Sequence, residues 1–184
     1  MGNIDPSAAA NMVFLWGAIL YQWASTEFLI TFTNQTALIS AICYLVGSAF
    51  FAISDVIRIF NSSGFNRIMN CTFCFADTLL TIGSIFFFPS LDKVIVGNWI
   101  FEIAGWLNCI NHIVMWVSLC RNLQGDWKMS ALSRFFNHLG AVLFIAGNIL
   151  LINNASNNFI AGFILFTIGS TGFTLGGSFA FFIK

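Results

Sequence analysis

The chain is short of charge and of proline. Only 7 basic and 7 acidic side chains occur among 184 residues, with 2 prolines. Soluble domains carry about 25% charged residues; here the share is 8%, against 58% hydrophobic side chains and a mean hydropathy of +0.87. A water-soluble domain of this size has no use for so much apolar surface, so the surroundings must be lipid. The formal net charge is zero, which removes the electrostatic basis for binding nucleic acid. A Gly-rich phosphate loop, an HExxH zinc motif, a Ser-centred nucleophile elbow and a TVGYG-type filter are all missing. The expectation is a non-enzymatic protein with no catalytic, cofactor or metal residues. Residues 1–11 lack the basic stretch of a cleavable signal, and "MGNIDPS" has Pro6 where a myristoylation motif needs Ser or Thr.

What the chain does have is long apolar runs. About 20 apolar residues carry a helix across a bilayer, and six runs fit, near 12–32, 36–59, 69–88, 97–119, 135–153 and 158–182. The links at 33–35 and 154–157 are tiny, whereas 60–68 and 120–134 are longer. The expectation is therefore an all-α integral membrane protein of six transmembrane helices. It forms one membrane domain over 1–184, built as three helical hairpins, 12–59, 69–119 and 135–182.

Arg58, Arg67, Arg121, Lys128, Arg134 and Lys184 fall on the side carrying both termini, and only Lys93 on the other. Basic residues are retained in the cytoplasm during insertion, so both termini are expected there. Trp99 begins the fourth run at the opposite interface, with Trp116 and Trp127 towards the basic face. On this topology the sequons at Asn61 and Asn70 lie inside, and those at Asn34 and Asn154 hug the membrane, so none is expected to be glycosylated.

Small residues recur at a fixed interval. A shift of 64 overlays residues 79–105 on 143–169 without a gap, bringing Gly83 and Gly105 onto Gly147 and Gly169. A shift back by 58 brings Gly105 onto Gly47 and Gly83 onto Ser25. Each hairpin thus has two small residues 22 apart: Ser25/Gly47, Gly83/Gly105 and Gly147/Gly169. In lipid, helices associate where small residues let backbones approach, so these pairs are expected to be the crossing points of the two arms. In "GSTGFTLGGS", Gly172 and Gly176 form a further small-xxx-small face, available to another helix of this chain or of a second copy.

The stretch "LLTIGSIFFFPSLDKVIVGNWIFEIAGWL", residues 79–107, resembles the YrhK-like domain, a two-helix membrane module of roughly "IGSxxFF", turn, "WLFxxGS". "LFIAGNILLINNASNNFIAGFILFTIGS" follows the same pattern with Phe163 for the tryptophan, and the first hairpin departs most, with Ser25 for a glycine. The resemblance implies three degenerate copies of one hairpin and carries no activity with it.

An intramembrane carboxylate costs about 2.5–3.5 kcal/mol on insertion scales and asks for a reason. Glu27 and Glu102 fall in the outer half of their spans; Asp55 and Asp77 fall near the inner ends, with Arg58 at i+3 from Asp55. Glu102, Gly105, Cys109 and His112 share a stripe of the fourth span with Asn108 and Asn111 beside it. Glu27, Glu102, Asn108 and His112 form a candidate polar track for an ion or proton, to be weighed against interhelical hydrogen bonding. Glu102 is expected to meet a polar partner from the first or last hairpin. His138 begins the fifth span, where it caps or snorkels. Cys71 and Cys74 form a CxxC at the inner end of the third span, but no second pair completes a zinc site, so the cysteines read as small reduced fillers. Two functions follow from these observations. One is a structural or assembly subunit whose partners are lipid, copies of itself or other membrane subunits. The other is a small ion or proton channel or transporter using the fourth helix.

Overall fold

In hydrocarbon every backbone N–H and C=O must find its partner within the chain, and a helix achieves this segment by segment. The computed structural model describes residues 5–30, 33–121, 127–153 and 156–183, excepting the side chains of 156–159. Among them run six α-helices: α1 Pro6–Ile30, α2 Asn34–Phe60, α3 Gly64–Ile85, α4 Val94–Arg121, α5 Trp127–Ile152 and α6 Ser156–Ala180. All six have segments long and apolar enough to cross a membrane. Helix α5 starts eight residues earlier than its apolar run, so most of the expected 120–134 link that is described is helix. Local chemistry marks the ends. Asp5 caps α1 by accepting from the Ser7 N–H at 3.0 Å, with Pro6 as the first helical residue. Thr33 and Thr36 cap α2 reciprocally. The α3–α4 corner turns through Pro89–Leu91 and Asp92, whose φ of 49° stops the chain from continuing as helix. Lys184 and Asn154 lie outside the described residues.

Each helix packs on its neighbours in sequence, and α6 also packs on α1, so the six close into a ring. That last seam is held by polar contacts. Gln22 of α1 donates to Thr171 at 3.3 Å and accepts from Thr174 at 3.0 Å, while the hydroxyls of Ser25 and Ser170 lie 3.1 Å apart. Such bonds are worth about 0.6–2 kcal/mol each between membrane helices.

Glycine contacts set the spacing of the ring. A methyl built on Gly17 would lie 2.7 Å from the Gly47 carbonyl oxygen, and one on Gly47 2.9 Å from that of Gly17. Gly147 and Gly162 face each other in the same way, as do Gly140 and Gly169, and a methyl on Gly97 would lie 2.9 Å from the Gly83 carbonyl oxygen. The aromatic four residues after one glycine covers the opposing glycine: Tyr21 lies on Gly47, Phe51 on Gly17, Phe101 on Gly83, Phe87 on Gly97, Phe166 on Gly147 and Phe173 on Gly140. The expected crossing of Gly83 with Gly105 is therefore not the one observed. Gly105 faces Ile145 of α5, and Ser25 bonds to the Tyr44 hydroxyl at 2.8 Å rather than meeting Gly47. The error is one of register. The small residue of α4 that meets Gly83 is Gly97, two turns before Gly105. Gly172 lies against the Phe136 carbonyl and Gly176 against the Asn137 amide, both on α5, so the small-residue face of α6 is occupied within the chain.

Every arm carries two such small residues seven apart: 17 and 24, 40 and 47, 76 and 83, 97 and 104, 140 and 147, 162 and 169. Four residues after each stands an aromatic in nine cases, Leu80 or Leu151 in two, and Asn108 in one. The rings converge on the axis. Tyr21, Tyr44, Phe101, Phe144 and Phe166 are all at most 3% exposed. Tyr21 lies 5.0 Å from Tyr44 edge-on, 5.6 Å from Phe144 and 6.3 Å from Phe101, and Phe144 stacks on Phe166 at 4.2 Å. Pairs of this kind contribute about 0.5–1.5 kcal/mol beyond area burial.

These contacts rank the glycines. Gly17→Ala drives a methyl into backbone oxygen and ring together and is expected to destabilise the fold by about 1–3 kcal/mol. Gly105→Ala meets only the side chain of Ile145, whose Cγ1 would lie 2.9 Å away, and is expected to cost well under about 1 kcal/mol. Unfolding midpoints of the two variants in one detergent would check the order; equal losses would show that the backbone contact does not set the spacing.

Candidate functional site: an axial polar cavity

Asn108 stands where the packing pattern otherwise puts a ring or a leucine, and the space that a ring would fill opens into a cavity of about 250 Å³. All six helices line it, at the end of the ring where α1 starts and α6 finishes. Its polar wall is Asn11 of α1, Asp55 and Arg58 of α2, Asn70 and Asp77 of α3, Asn108 and His112 of α4, and Ser130, Ser133, Arg134 and Asn137 of α5. The rings of Phe14, Phe51, Phe73 and Phe173 supply the apolar part.

The ionisable groups are anchored from two sides. Arg58 donates to Asp55 Oδ1 at 3.0 Å and to Asn11 Oδ1 at 3.3 Å, with its guanidinium 5.4 Å from the Phe14 ring centre. Asn11 in turn donates to the Ala180 carbonyl at 3.0 Å, tying α1, α2 and α6 together at the mouth. Asp77 Oδ1 accepts from Asn108 Nδ2 at 3.0 Å. The carboxyl groups of Asp55 and Asp77 lie within hydrogen-bonding reach of each other. Two carboxylates so close and out of water repel strongly unless a proton or a cation stands with them. Three buried oxygens on this wall have no hydrogen-bond partner: Asp55 Oδ2, Asn108 Oδ1 and Asn137 Oδ1. All three are acceptors. Beside His112 lie the Phe73 ring at 5.0 Å and His138 at 6.3 Å, and the Cys109 thiol is 3.9 Å from His138 Nδ1.

Of the candidate track only Asn108 and His112 meet here. Glu102 is buried on α4 but lies off the cavity; its Oε1 accepts from Trp106 Nε1 of its own helix at 2.8 Å, not from the first or last hairpin as expected, and Oε2 has no partner. Glu27 lines a shallow groove with Gln22, Trp23 and Thr26 of α1. The stripe is thus not a continuous path. Asp55, Asp77, Asn11 and Arg134 were the functional-looking residues that single-helix reasoning passed over, because their meeting depends on ring closure. Cys71 is exposed, the Cys74 thiol is 3.9 Å from the Ala52 carbonyl, and among the described residues no group of three His, Cys, Asp or Glu side chains could hold a metal.

A second cavity, of about 410 Å³, occupies the other end of the ring, with Asn34, Asp92 and Asn98 among its lining residues. The aromatic layer of Tyr21, Tyr44, Phe101 and Phe144 fills the axis between the two. The structure is that of a bundle closed at its middle. No protein-family model, no curated protein and no solved structure matches this chain.

The Asp55–Arg58 pair offers a direct measurement. Removing one partner of a buried pair leaves an uncompensated charge and costs about 3–5 kcal/mol, whereas removing both is often neutral. Arg58→Met is expected at the lower end, about 3 kcal/mol, because the Arg58 side chain is 30% exposed. Adding Asp55→Asn is expected to recover most of that loss in a double-mutant unfolding cycle; additive losses would mean the pair is not coupled.

Proposed function

We propose that the chain is a small multi-pass membrane transport protein that admits a polar solute or ion into the axial cavity. The observation carrying this reading is the cavity wall itself. A bundle with a purely structural role gains nothing from two adjoining buried carboxyl groups and three unpartnered acceptors, each of which costs free energy in a dry interior. A site that receives a ligand recovers that cost on binding. The alternative, a structural or self-associating subunit, drew its motive from an almost loop-free chain whose distinctive residues are packing residues; of these, the small-residue face of α6 is taken up by α5 of the same chain.

On the charge asymmetry of the links, both termini and the mouth of the cavity face the cytoplasm. The aromatic layer then separates cytoplasmic from external water, and passage requires the layer to part, as in a carrier with alternately open ends. The three helix pairs α1–α2, α3–α4 and α5–α6, each with two layers of small residues, are three variants of a YrhK-like hairpin. The middle one has Asn108 in place of a ring and contributes Asp77, Asn108 and His112 to the cavity wall.

Accessibility tests the reading. In a chain whose native cysteines are replaced, His112→Cys is expected to react with a membrane-impermeant thiol reagent from the side carrying the termini and not from the other. The adduct should also block reagent access to a second cysteine at Asn108. Absence of labelling from either side, in protein that is folded by its unfolding midpoint, would overturn the proposal.

A further inference from the structure

The cavity floor also carries information about which solute it takes. Resting on the reading that solutes enter this cavity, we propose that its floor is a binding site for a small primary ammonium, whose N–H groups are accepted by Asp77, Asp55 Oδ2 and Asn108 Oδ1.

Charge comes first. With both carboxyls ionised, Asp55 and Asp77 bring two negative charges, and Arg58, bonded to Asp55 and Asn11, brings one positive charge. The cluster then reaches neutrality with one further positive charge, a proton or a bound cation. Arg134 also lines the cavity, but among the described residues it forms no ion pair with Asp55 or Asp77, so it does not supply that charge at contact distance. A monovalent cation does; a divalent one overshoots.

Donor and acceptor counts come next. Asn108 gives its amide N–H to Asp77, and this fixes which way the side chain points, leaving Oδ1 turned the other way without a partner at 9% exposure. Asp55 Oδ2, in a side chain 3% exposed, is likewise unpartnered. An ammonium carries three donors and no acceptor, which is the complement of this floor.

Shape agrees. About 250 Å³ is the share of roughly eight waters at about 30 Å³ each, far more than a bare ion fills. The remaining wall at the rings of Phe51 and Phe73 and at Leu80 is apolar; it suits a short alkyl group and adds cation–π attraction.

The experiment is calorimetric titration of the full chain in phosphatidylcholine nanodiscs, with empty discs subtracted, at constant ionic strength. Propylammonium is expected to bind saturably. Tetramethylammonium, with the same charge and no N–H, and sodium and potassium are expected to bind at least tenfold more weakly. Asp77→Asn and Asn108→Leu should each weaken propylammonium at least tenfold, and Asp92→Asn at the other end should not. The Asn108 variant restores the leucine of the packing pattern, so it tests the site even if the Asp77 variant fails to fold. Propylammonium binding that is absent, equal to tetramethylammonium, or unchanged in the folded variants overturns the proposal, and equal or tighter alkali binding does so in favour of a metal cation. His112→Cys labelling with no propylammonium binding removes this inference and leaves the transport reading standing; failure of the labelling removes both.

Discussion

Everything in this bundle depends on glycine backbones touching across helix pairs. Lipid offers no reward for hiding Leu from water, so two helices stay together only where their atoms can come closer to each other than to acyl chains. Where Gly17 meets Gly47, there is no room for even a methyl between them. That distance then determines what happens one turn away. A ring four residues along is carried onto the opposing glycine, and the rings of several pairs meet on the axis. A core rich in aromatics, unusual as a sequence feature, is a direct consequence of helices close enough to use rings as the only filler.

The sequence made the spans legible because hydropathy is a sum over many residues and tolerates local error. It made the glycines look important but misassigned their partners. Spacing along the chain fixes which face a residue occupies only when the turn between helices has a known length, and a one-residue difference rotates the face by about 100°. Gly97, which meets Gly83, and Gly105 lie two turns apart along α4 and about 80° apart around it, so a pattern that matched Gly83 to Gly105 selected the residue facing α5. The rule that does hold, a small residue followed four later by an aromatic, was written in the chain throughout. It becomes visible only when both members of a contact are known.

The candidate site was legible in half. Asn108 and His112 could be singled out because a polar residue in an apolar run is conspicuous. Glu102 was equally conspicuous and turned out to be bonded to the neighbouring turn of its own helix. What no single helix could reveal was that Asp55 and Asp77 converge. They belong to α2 and α3, which the hairpin grouping assigned to different units, and the wall between them is completed by α5 and α6 only after α6 has packed on α1. A polar cluster assembled by ring closure has no local signature.

The departure at Asn108 connects packing to chemistry. Filling that position with an aromatic, as nine of the other eleven equivalent positions are filled, would extend the ring layer to the terminal end of the bundle and seal it. One asparagine instead removes a ring and supplies a donor to Asp77, while presenting an oxygen to the space thus opened. The aromatic layer beyond it is untouched, because Tyr21, Tyr44, Phe101 and Phe144 are held by glycine contacts or one another rather than by Asn108. The bundle can therefore carry a polar pocket at its terminal end, with the ring layer packed between it and the far side. Opening it means separating the rings, and since Tyr21 and Phe101 rest on Gly47 and Gly83 of the opposing helices, that motion is a sliding of helix on helix at contacts with few side chains to obstruct it.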